Sequence, residues 1–576
     1  MPDQQYDLIN QFLRGAINRR TFIRKAVGLG LAAPVVASTL AMLPRNAFAQ
    51  DSSLPSPSAP REDGTPAPDD QQVLKMVTPS PFRMDPPTYG GDLWQLQMMV
   101  YQALTRMTLD ETIGPGVADT WESNADATVW TFHLNPNAKF SDGTPITADD
   151  VIWSWSWIAN PNSKSTAPDT FKWVVGYDDV KSGAAELMSG MKAIDANTLE
   201  ITTADPYPAM PALASVFYGC VLKKDNVMSG GEEWWRAPVT SGIYKVTEYT
   251  PGDQATMTLE RNENWWRDPS KLAKIEFSLV ADPQTQLVQF DNGEISGMVC
   301  QPAEFGQATK EGGQRADALF WGYAAATWYF GFFCEKAPFD DANVRQAFAQ
   351  AVDLNVVSAA VLNGIYPPEP RILPAQFCGG DQQYAPTFDV EAAKASLAAS
   401  KYGSAEGVGK VTILISEQGG ATALGTWAKV GQAMGQMIQD NLGITVELVR
   451  KVFASVPEQL AEARAIDGGA IFRLSFGASM PDPSYIYNIV QSESSGNATQ
   501  YKNPEVDDLL AQAGAEPDPD KRCALYDQID QIVSGDAIFL APFRGTSTWF
   551  FQPNVRGLKI VNQRIWNAID QVYIAQ

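Results

Sequence analysis

Apolar and polar positions alternate along several short stretches of this 576-residue chain. Trp130, Phe132 and Leu134 occupy every second position of one stretch, which predicts a half-buried strand. Downstream, Gly143 follows an aspartate and predicts a tight turn, because glycine adopts positive φ at little cost. Thr147 precedes a run with two aspartates and is a candidate helix N-cap. Together these positions predict a strand, a turn and a helix.

Apolar residues recur at strand spacing and at helical spacing further along the chain. Residues 256–260 and 275–279 alternate as strands do, whereas apolar residues of 344–352 recur at helical spacing. A helix is predicted over 427–440, with Gly443 as its C-terminal stop. Interleaved strands and helices indicate an α/β or mixed α+β fold class. A chain of this length, 45% hydrophobic, is expected to form two or three domains.

The first 49 residues have the features of an export signal. Arg19-Arg20 begins a segment that resembles the twin-arginine motif, an apolar run over 26–42 follows, and Ala47-Phe48-Ala49 resembles a cleavage site. The run is short for a membrane span and contains Pro34. Retention of the run as an anchor is the alternative to cleavage. No cysteine follows the run directly, so we do not expect a lipoprotein.

Residues 50–72 are rich in Pro, Ser and Asp. So few apolar residues cannot bury a core, and the segment is therefore predicted to be a disordered linker. Globular sequence is predicted to begin near Val73.

Composition restricts the chemistry. The formal net charge of −23 argues against nucleic acid and against anionic membrane surfaces. The sole histidine, His133, falls inside the predicted strand, so a histidine-based nucleophile or a multi-histidine metal site is not expected. The five cysteines lack CxxC spacing, and their pairing as disulfides is left open. We expect no cofactor, no metal and no catalytic residue.

Six segments carry recognisable motifs, beginning with the turn-and-helix stretch described above and continuing through the globular sequence: 139–151, 241–244 with 259–266, 291–295, 337–348, 388–395 and 501–507. In this order they resemble the extracytoplasmic solute-binding proteins of peptide-type ABC importers, family 5. The spacing is most similar to that of oligopeptide-binding members.

The resemblance implies a fold of two lobes that close over a ligand by hinge motion, with an extra subdomain on the first lobe. It places lobe I at 73–105, 236–325 and 541–576, the subdomain at 106–235, and lobe II at 326–540. The implied partners are a small-molecule or peptide ligand and a membrane permease with cytosolic ATPases. We expect a monomer located in the periplasm or otherwise outside the cytoplasm.

The family's best-known ligand contacts fall in the segment 472–483. In peptide-binding members an arginine faces the ligand's carboxylate, and Arg473 occupies that position here. An aspartate pairs with the α-ammonium in those members, but this chain has Ser479 there. Asp482 could replace that aspartate, or belong to a plain Pro-Asp-Pro turn. Phe476 takes the place of the family's aromatic residue.

Four further aromatic residues are cleft candidates, although aromatic side chains are more often found in a core. They are Tyr89, Trp173, Trp328 and Tyr329.

The function expected from the resemblance is capture of an oligopeptide or dipeptide for import. The change to Ser479 and the content of 16 Trp keep an oligosaccharide or other amine-free ligand as the alternative. A ligand-sensing partner of a membrane receptor would use the same cleft. A secreted glycosidase with paired carboxylates is a further alternative, but no pair of acidic residues is singled out.

Overall fold

The computed structural model describes residues 57–79, 82–86, 94–310, 312–378, 382–416, 421–453, 455–478, 480–560 and 566–576. The predicted signal segment 1–49 and two candidate site residues, Tyr89 and Ser479, lie outside the described residues.

The strands differ greatly in length, and the two longest, β12 and β16, have 14 and 13 residues. In chain order the strands are β1 Val73–Thr78, β2 Thr105–Met107, β3 Ile113–Pro115, β4 Ala118–Ser123, β5 Val129–Leu134, β6 Met191–Asp195, β7 Thr198–Thr202, β8 Tyr244–Thr250, β9 Thr256–Arg261, β10 Lys274–Leu279, β11 Gly297–Val299, β12 Leu319–Phe332, β13 Val411–Ser416, β14 Val446–Lys451, β15 Ala470–Gly477, β16 Phe539–Phe551, β17 Val555–Arg556 and β18 Tyr573–Ile574.

The helices are mostly short, and the longest, α13, has 22 residues. In chain order they are α1 Trp94–Val100, α2 Ala148–Ala159, α3 Tyr177–Lys181, α4 Met210–Leu213, α5 Lys224–Gly230, α6 Pro283–Asp291, α7 Pro302–Ala308, α8 Ala342–Gln350, α9 Leu354–Val361, α10 Ala375–Cys378, α11 Val390–Ala399, α12 Ala405–Val408, α13 Ala421–Leu442, α14 Val456–Ala465, α15 Pro483–Tyr487, α16 Pro504–Ala515 and α17 Pro519–Gly535.

Within the described residues, ten strands form one sheet in the order β14-β13-β15-β12-β16-β11-β1-β10-β9-β8. β12 and β16 are antiparallel and lie in the middle of this sheet. Beyond β12 the sheet continues through β15, β13 and β14, and beyond β16 it continues through the remaining five strands. The mixed α/β fold with two lobes that the sequence predicted is therefore confirmed.

The register of β12 and β16 shifts in the middle of the pair. Tyr323 pairs with Thr546, but the next paired residue of β12 is Thr327, opposite Arg544. An added Cβ at Gly545 would lie 2.7 Å from the carbonyl oxygen of Ala326, closer than real contacts allow. The two strands therefore approach closely and irregularly at the point where they pass from one lobe to the other.

A separate four-stranded antiparallel sheet, β4-β5-β7-β6, packs against α2. Trp130 and Phe132 are buried in β5, as their alternation predicted. Gly143 has a φ of 85°, and Thr147 is the N-cap of α2, with its backbone N–H donating to Asp150 Oδ2 at 2.8 Å. The predicted strand, turn and helix are confirmed.

The expectation of a disordered linker is wrong for residues 57–72. Ser58 donates its N–H to the Trp321 carbonyl at 2.9 Å, and Gly557 donates to the Arg61 carbonyl at 2.6 Å. Ala67 likewise donates to a carbonyl of β18 at 2.8 Å. Backbone groups of this segment thus bond to residues distant in the sequence, a stabilisation that composition does not reveal.

In the part of the chain that the structure describes, no helix is both long enough and apolar enough to cross a bilayer.

Candidate functional site

The predicted site residues of β12 and β15 are divided between the two faces of the sheet. Phe330 is paired with Arg473, and Trp328 with Ser475. Because side chains alternate along a strand, Arg473 and Trp328 share one face. Tyr329 and Phe476 point to the opposite face, so the four residues do not form one cluster.

Arg473 lies against two indole rings. Its guanidinium carbon is 4.5 Å from the ring centre of Trp328 and 4.4 Å from that of Trp427. The two indoles are stacked, with centres 5.7 Å apart, and Tyr366 stacks on Trp427 at 5.6 Å. An arginine over aromatic faces is attracted by the ring quadrupoles, so the two indoles help to hold Arg473 in place. We call Trp328, Tyr366, Trp427 and Arg473 the aromatic-arginine cluster.

Sequence reasoning placed Trp427 in a helix but missed its place in this cluster. Trp427 lies near the start of α13 and is 5% exposed. Its helical position was correctly predicted, yet no local pattern links it to a strand 99 positions earlier in the chain.

A second arginine lies beside the register shift. Arg544 of β16 donates from Nε to Glu369 Oε2 at 3.0 Å and from Nη2 to Glu369 Oε1 at 2.9 Å. The Glu369 side chain is fully buried, and Arg544 lies 5.1 Å from the ring centre of Tyr323. Arg544 is a charged residue within the otherwise apolar strand 539–551. Its position could have marked it as a candidate site residue from the sequence.

Tyr329 belongs to the core. Its ring stacks on Phe539 at 4.2 Å, and the residue is 2% exposed. Burial raises the pKa of its phenol well above the ordinary value. The structure therefore places this predicted cleft residue in the packed core between β12 and β16.

The chain that follows β15 packs against the core of the four-stranded sheet. Met480, 3% exposed, is buried in the apolar core of the small-sheet subdomain, and Tyr485 packs against the same core. Phe476 contacts Tyr485 with ring centres 5.4 Å apart. On the subdomain side, Trp173 stacks on Tyr207 at 5.1 Å. Phe476 and Trp173 thus contact residues at the junction of the lobes, although they do not contact each other.

Charge also crosses this junction. Burial raises the pKa of Tyr207, and the negative charge of Asp482 on lobe II raises it further. Asp482 therefore lies close to a residue of the subdomain.

Asp482 is the N-cap of α15, so the Pro-Asp-Pro segment begins a short helix. Its Oδ1 accepts from the Ser484 N–H at 3.0 Å and from Ser484 Oγ at 2.6 Å. The same oxygen accepts from Arg522 Nη2 at 2.6 Å. None of these three bonds uses Oδ2.

Asp482 also borders a cavity of about 230 Å³ at the junction, which we call the junction cavity. Its wall includes a disulfide between Cys378 and Cys523, whose pairing the sequence had left open. The lining residues are Glu111, Phe377, Pro481, Asp482, Pro483, Pro519, Arg522, Cys523 and Tyr526.

Metal chemistry gains no support from the described residues, among which no group of three His, Cys, Asp or Glu side chains is placed to hold an ion. His133 lies on the small sheet, with its Nε2 3.0 Å from Glu122 Oε1.

A sheet continued by two long strands between two lobes, with charged and aromatic residues at the junction, defines a two-lobed binding protein. The model of bacterial extracellular solute-binding proteins, family 5, matches residues 112–498. The chain belongs to this family.

Two relatives come from Escherichia coli (strain K12). The chain is 26% identical over 475 residues to the periplasmic oligopeptide-binding protein OppA, covering 80% of this chain and 84% of that protein. It is 26% identical over 518 residues to the periplasmic murein peptide-binding protein MppA, covering 87% and 92%.

Solved structures share the fold. The Haemophilus influenzae OppA complex with RPPGFSPFR superposes with a TM-score of 0.71 at 23% identity, covering 88% of this chain and 100% of that chain. The unliganded open form of MppA gives a TM-score of 0.69 at 23% identity, covering 90% and 99%.

Proposed function

We propose that this protein captures a peptide between its lobes and delivers it to the membrane permease of an ABC importer. The observation that carries this proposal is the aromatic-arginine cluster, in which β15 and α13 bring Arg473 and Trp427 against Trp328 of β12, one of the two strands that join the lobes. There Arg473 presents a permanent positive charge beside the faces of Trp328 and Trp427. The printed names of the two relatives, oligopeptide-binding and murein peptide-binding, point to the same ligand class.

In this proposal Arg473 binds the carboxylate of the peptide. Arginine suits this role because its planar guanidinium matches a carboxylate and stays charged at all relevant pH values. Contacts made by both lobes would stabilise the closed form over the open one, and the permease would recognise that form. The protein acts by capture and release, without catalysis.

The finer points of the proposal follow from the sequence. The chain would be exported by the twin-arginine pathway, lose or retain the segment 1–49, and work as a monomer outside the cytoplasm. The lobes would divide the chain at 73–105, 236–325 and 541–576, at 106–235, and at 326–540. The hinge would lie near Trp328 and Ala541, and Trp173, Phe476 and Ser479 would line the cleft.

The carboxylate role of Arg473 can be tested with peptides that differ only at the C-terminus. Isothermal titration calorimetry would compare tripeptide acids with their C-terminal amides, in the wild type and in Arg473→Met, which keeps an apolar contact to the indoles. A charge-assisted bond contributes about 1.5–3 kcal/mol, so the wild type should prefer the acid by at least about tenfold. Arg473→Met should lose that preference.

The matched control is Arg450→Gln, which removes a charge from an exposed position of β14, a strand that β13 separates from the strand of Arg473. It should keep the preference for the acid. Native mass spectrometry of the purified protein provides an independent result. A co-purified peptide series would support the proposal, whereas a sugar or other amine-free mass would replace the peptide by the alternative ligand class.

A further inference from the structure

The disulfide between Cys378 and Cys523 joins the short helix α10 to the long helix α17. Both cysteines are partly exposed, and Cys523 lines the junction cavity. A small thiol in solution therefore has a route to the bond. Exposed disulfides are reduced more easily than buried structural ones. The position of this bond thus favours exchange with thiols in the surroundings.

The other three cysteines are unpaired and poorly suited to such an exchange. Cys220 and Cys300 are 1% and 2% exposed, and burial raises the pKa of both thiols well above the ordinary value. Burial also raises the pKa of Cys334 to about 11. Because the thiolate is the reactive form of cysteine, thiols that stay protonated at neutral pH react slowly. Exchange is therefore confined to the pair of Cys378 and Cys523.

The chain that precedes α10 is held in place by contacts other than the disulfide. Asp530 of α17 accepts hydrogen bonds from the backbone N–H groups of Ile372 and Leu373, at 2.8 and 3.2 Å. It also accepts from Arg371 Nε at 2.5 Å. The Ile372 carbonyl accepts from Thr327 Oγ1 of β12 at 3.2 Å. Opening of the disulfide would therefore leave residues 371–373 in place.

Helix α10 depends more strongly on the disulfide. It consists of the four residues 375–378, about one turn, and a single helical turn is not stable by itself in water. Cys378 is its last residue, and the neighbouring Phe377 lines the junction cavity. Both side chains are only partly buried against the adjacent core. Without the cross-link, α10 regains conformational freedom, and the wall of the cavity at Phe377 becomes mobile.

We propose that Cys378 and Cys523 form a redox switch in the folded protein, whose state sets the mobility of α10 and of the cavity wall at Phe377. A dithiol opens the switch, and a disulfide reagent closes it. The inference goes beyond peptide capture, since it holds whichever ligand the protein binds. Disulfides are rare in the cytoplasm and persist in oxidising surroundings, so the proposed location outside the cytoplasm favours the closed state.

The opening step is a thiol–disulfide exchange. A thiolate of the external dithiol attacks one sulfur of the bond and forms a mixed disulfide, while the other cysteine leaves as a thiolate and takes up a proton. The second thiol of the dithiol then attacks the mixed disulfide and releases the first cysteine. The reagent ends as a disulfide, and two electrons and two protons have passed to the protein. Closure by a disulfide reagent is the reverse reaction.

Thiol labelling of the native protein tests this switch. The purified protein would be treated with dithiothreitol without denaturant, labelled with N-ethylmaleimide and analysed by peptide mass mapping. We expect labels on Cys378 and Cys523, none on Cys220 or Cys300, and an unchanged circular dichroism spectrum. Oxidised glutathione should then restore the bond and abolish both labels. Labels that appear only in urea, or a reduction that unfolds the protein, would overturn the switch.

Two variants provide the matched comparison. Cys378→Ser leaves Cys523 as a free thiol, which should be labelled without dithiothreitol. Cys334→Ser removes a partly exposed thiol outside the pair and should leave the labelling of the pair unchanged. Failure to label Cys523 in Cys378→Ser would show that reagents do not reach this position, and would overturn exchange in the folded protein.

Hydrogen–deuterium exchange measures the effect on the cavity wall. Overlapping peptides should show exchange over 375–378 that is at least about threefold faster after reduction and in Cys378→Ser, because local opening costs less there. Residues 371–373 should keep their protection, since their bonds to Asp530 remain. Equal exchange over 375–378 in both states would overturn the effect on the wall. Loss of protection over the whole of 371–378 would overturn its restriction to α10.

Discussion

Two aspartate–arginine pairs on the same helix have different surroundings. Asp530 of α17 pairs with Arg371, and Arg522, eight residues earlier on α17, pairs with Asp482. Both aspartates are at least 90% buried. The pairs differ in how the carboxylate oxygens are used.

Both oxygens of Asp530 are occupied. Oδ1 accepts from the Ile372 N–H at 2.8 Å, and Oδ2 accepts from Arg371 Nε at 2.5 Å and from the Leu373 N–H at 3.2 Å. Burial raises the pKa of Asp530, and Arg371 opposes that rise. This pair fixes the segment after residue 370 onto α17 and has no oxygen available for a ligand.

Asp482, in contrast, makes its three bonds through Oδ1 and borders a cavity. The comparison teaches that burial and an arginine partner do not by themselves distinguish a structural carboxylate from a binding one. The two carboxylates differ in that Asp482 lines a cavity, whereas both oxygens of Asp530 accept hydrogen bonds from the protein.

The largest effect is expected from Asp530→Asn. Arg371 would keep its ion pair with the more exposed Asp527, at 3.1 Å, but would lose its buried carboxylate partner, and breaking a buried ion pair costs about 3–5 kcal/mol. Urea unfolding at neutral pH would measure the loss. A loss of unfolding free energy below about 1 kcal/mol would show that the Asp530–Arg371 pair does not stabilise the fold in this way.

A smaller effect is expected from Asp482→Asn. Asparagine can still cap α15, and the cavity gives solvent access to Arg522, so the cost should be that of one charged hydrogen bond, about 1.5–3 kcal/mol. The same urea experiment applies. A cost equal to that of Asp530→Asn would contradict the distinction between the two sites.

The smallest effect is expected from an exposed pair, Asp291 with Arg315, which are joined at 2.5 and 2.7 Å. Exposed pairs contribute about 0–1 kcal/mol, so Asp291→Asn should cost less than 1 kcal/mol at neutral pH. The hydrogen bond from Arg315 lowers the pKa of Asp291 in the folded protein. The ionised Asp291 therefore stabilises the folded protein fully at pH values above the pKa that this carboxyl has in the unfolded chain. The stabilisation is lost as the pH falls through the lower pKa of the folded protein.

Unfolding curves of the wild type and Asp291→Asn, recorded at neutral pH and at progressively lower pH, test this predicted dependence of stability on pH. The two proteins should become equal in stability in acid. A difference that grows on acidification would contradict the assignment.

Sequence reasoning succeeded where the pattern was local. The burial of Trp130 and Phe132 and the N-cap at Thr147 follow from strand period and capping chemistry within a few residues. It also placed Trp427 in a helix. Strand alternation would have shown that Arg473 and Phe476, three residues apart, point to opposite faces, but the predicted site had combined them.

The structure was needed wherever distant segments meet. The polar composition of residues 57–72 predicted disorder. In the structure, however, their backbone groups form hydrogen bonds with β12 and with residues near the C-terminal end of the chain. The pairing of Cys378 with Cys523, 145 residues apart, was likewise open. Tyr329 was predicted to line the cleft and lies beside the predicted hinge, but its side chain is buried in the core.

The mixed α/β class, the family resemblance and the separate strands and helices can all be predicted from the amino-acid order, because they depend on short-range periodicity and on motif order. Which charged side chains meet depends on how the chain folds back on itself. The contacts of Arg473 with Trp427 and the junction cavity between Glu111 and Asp482 depend on sheet register and lobe packing. Such contacts join residues far apart in the chain, and no local pattern encodes their distance.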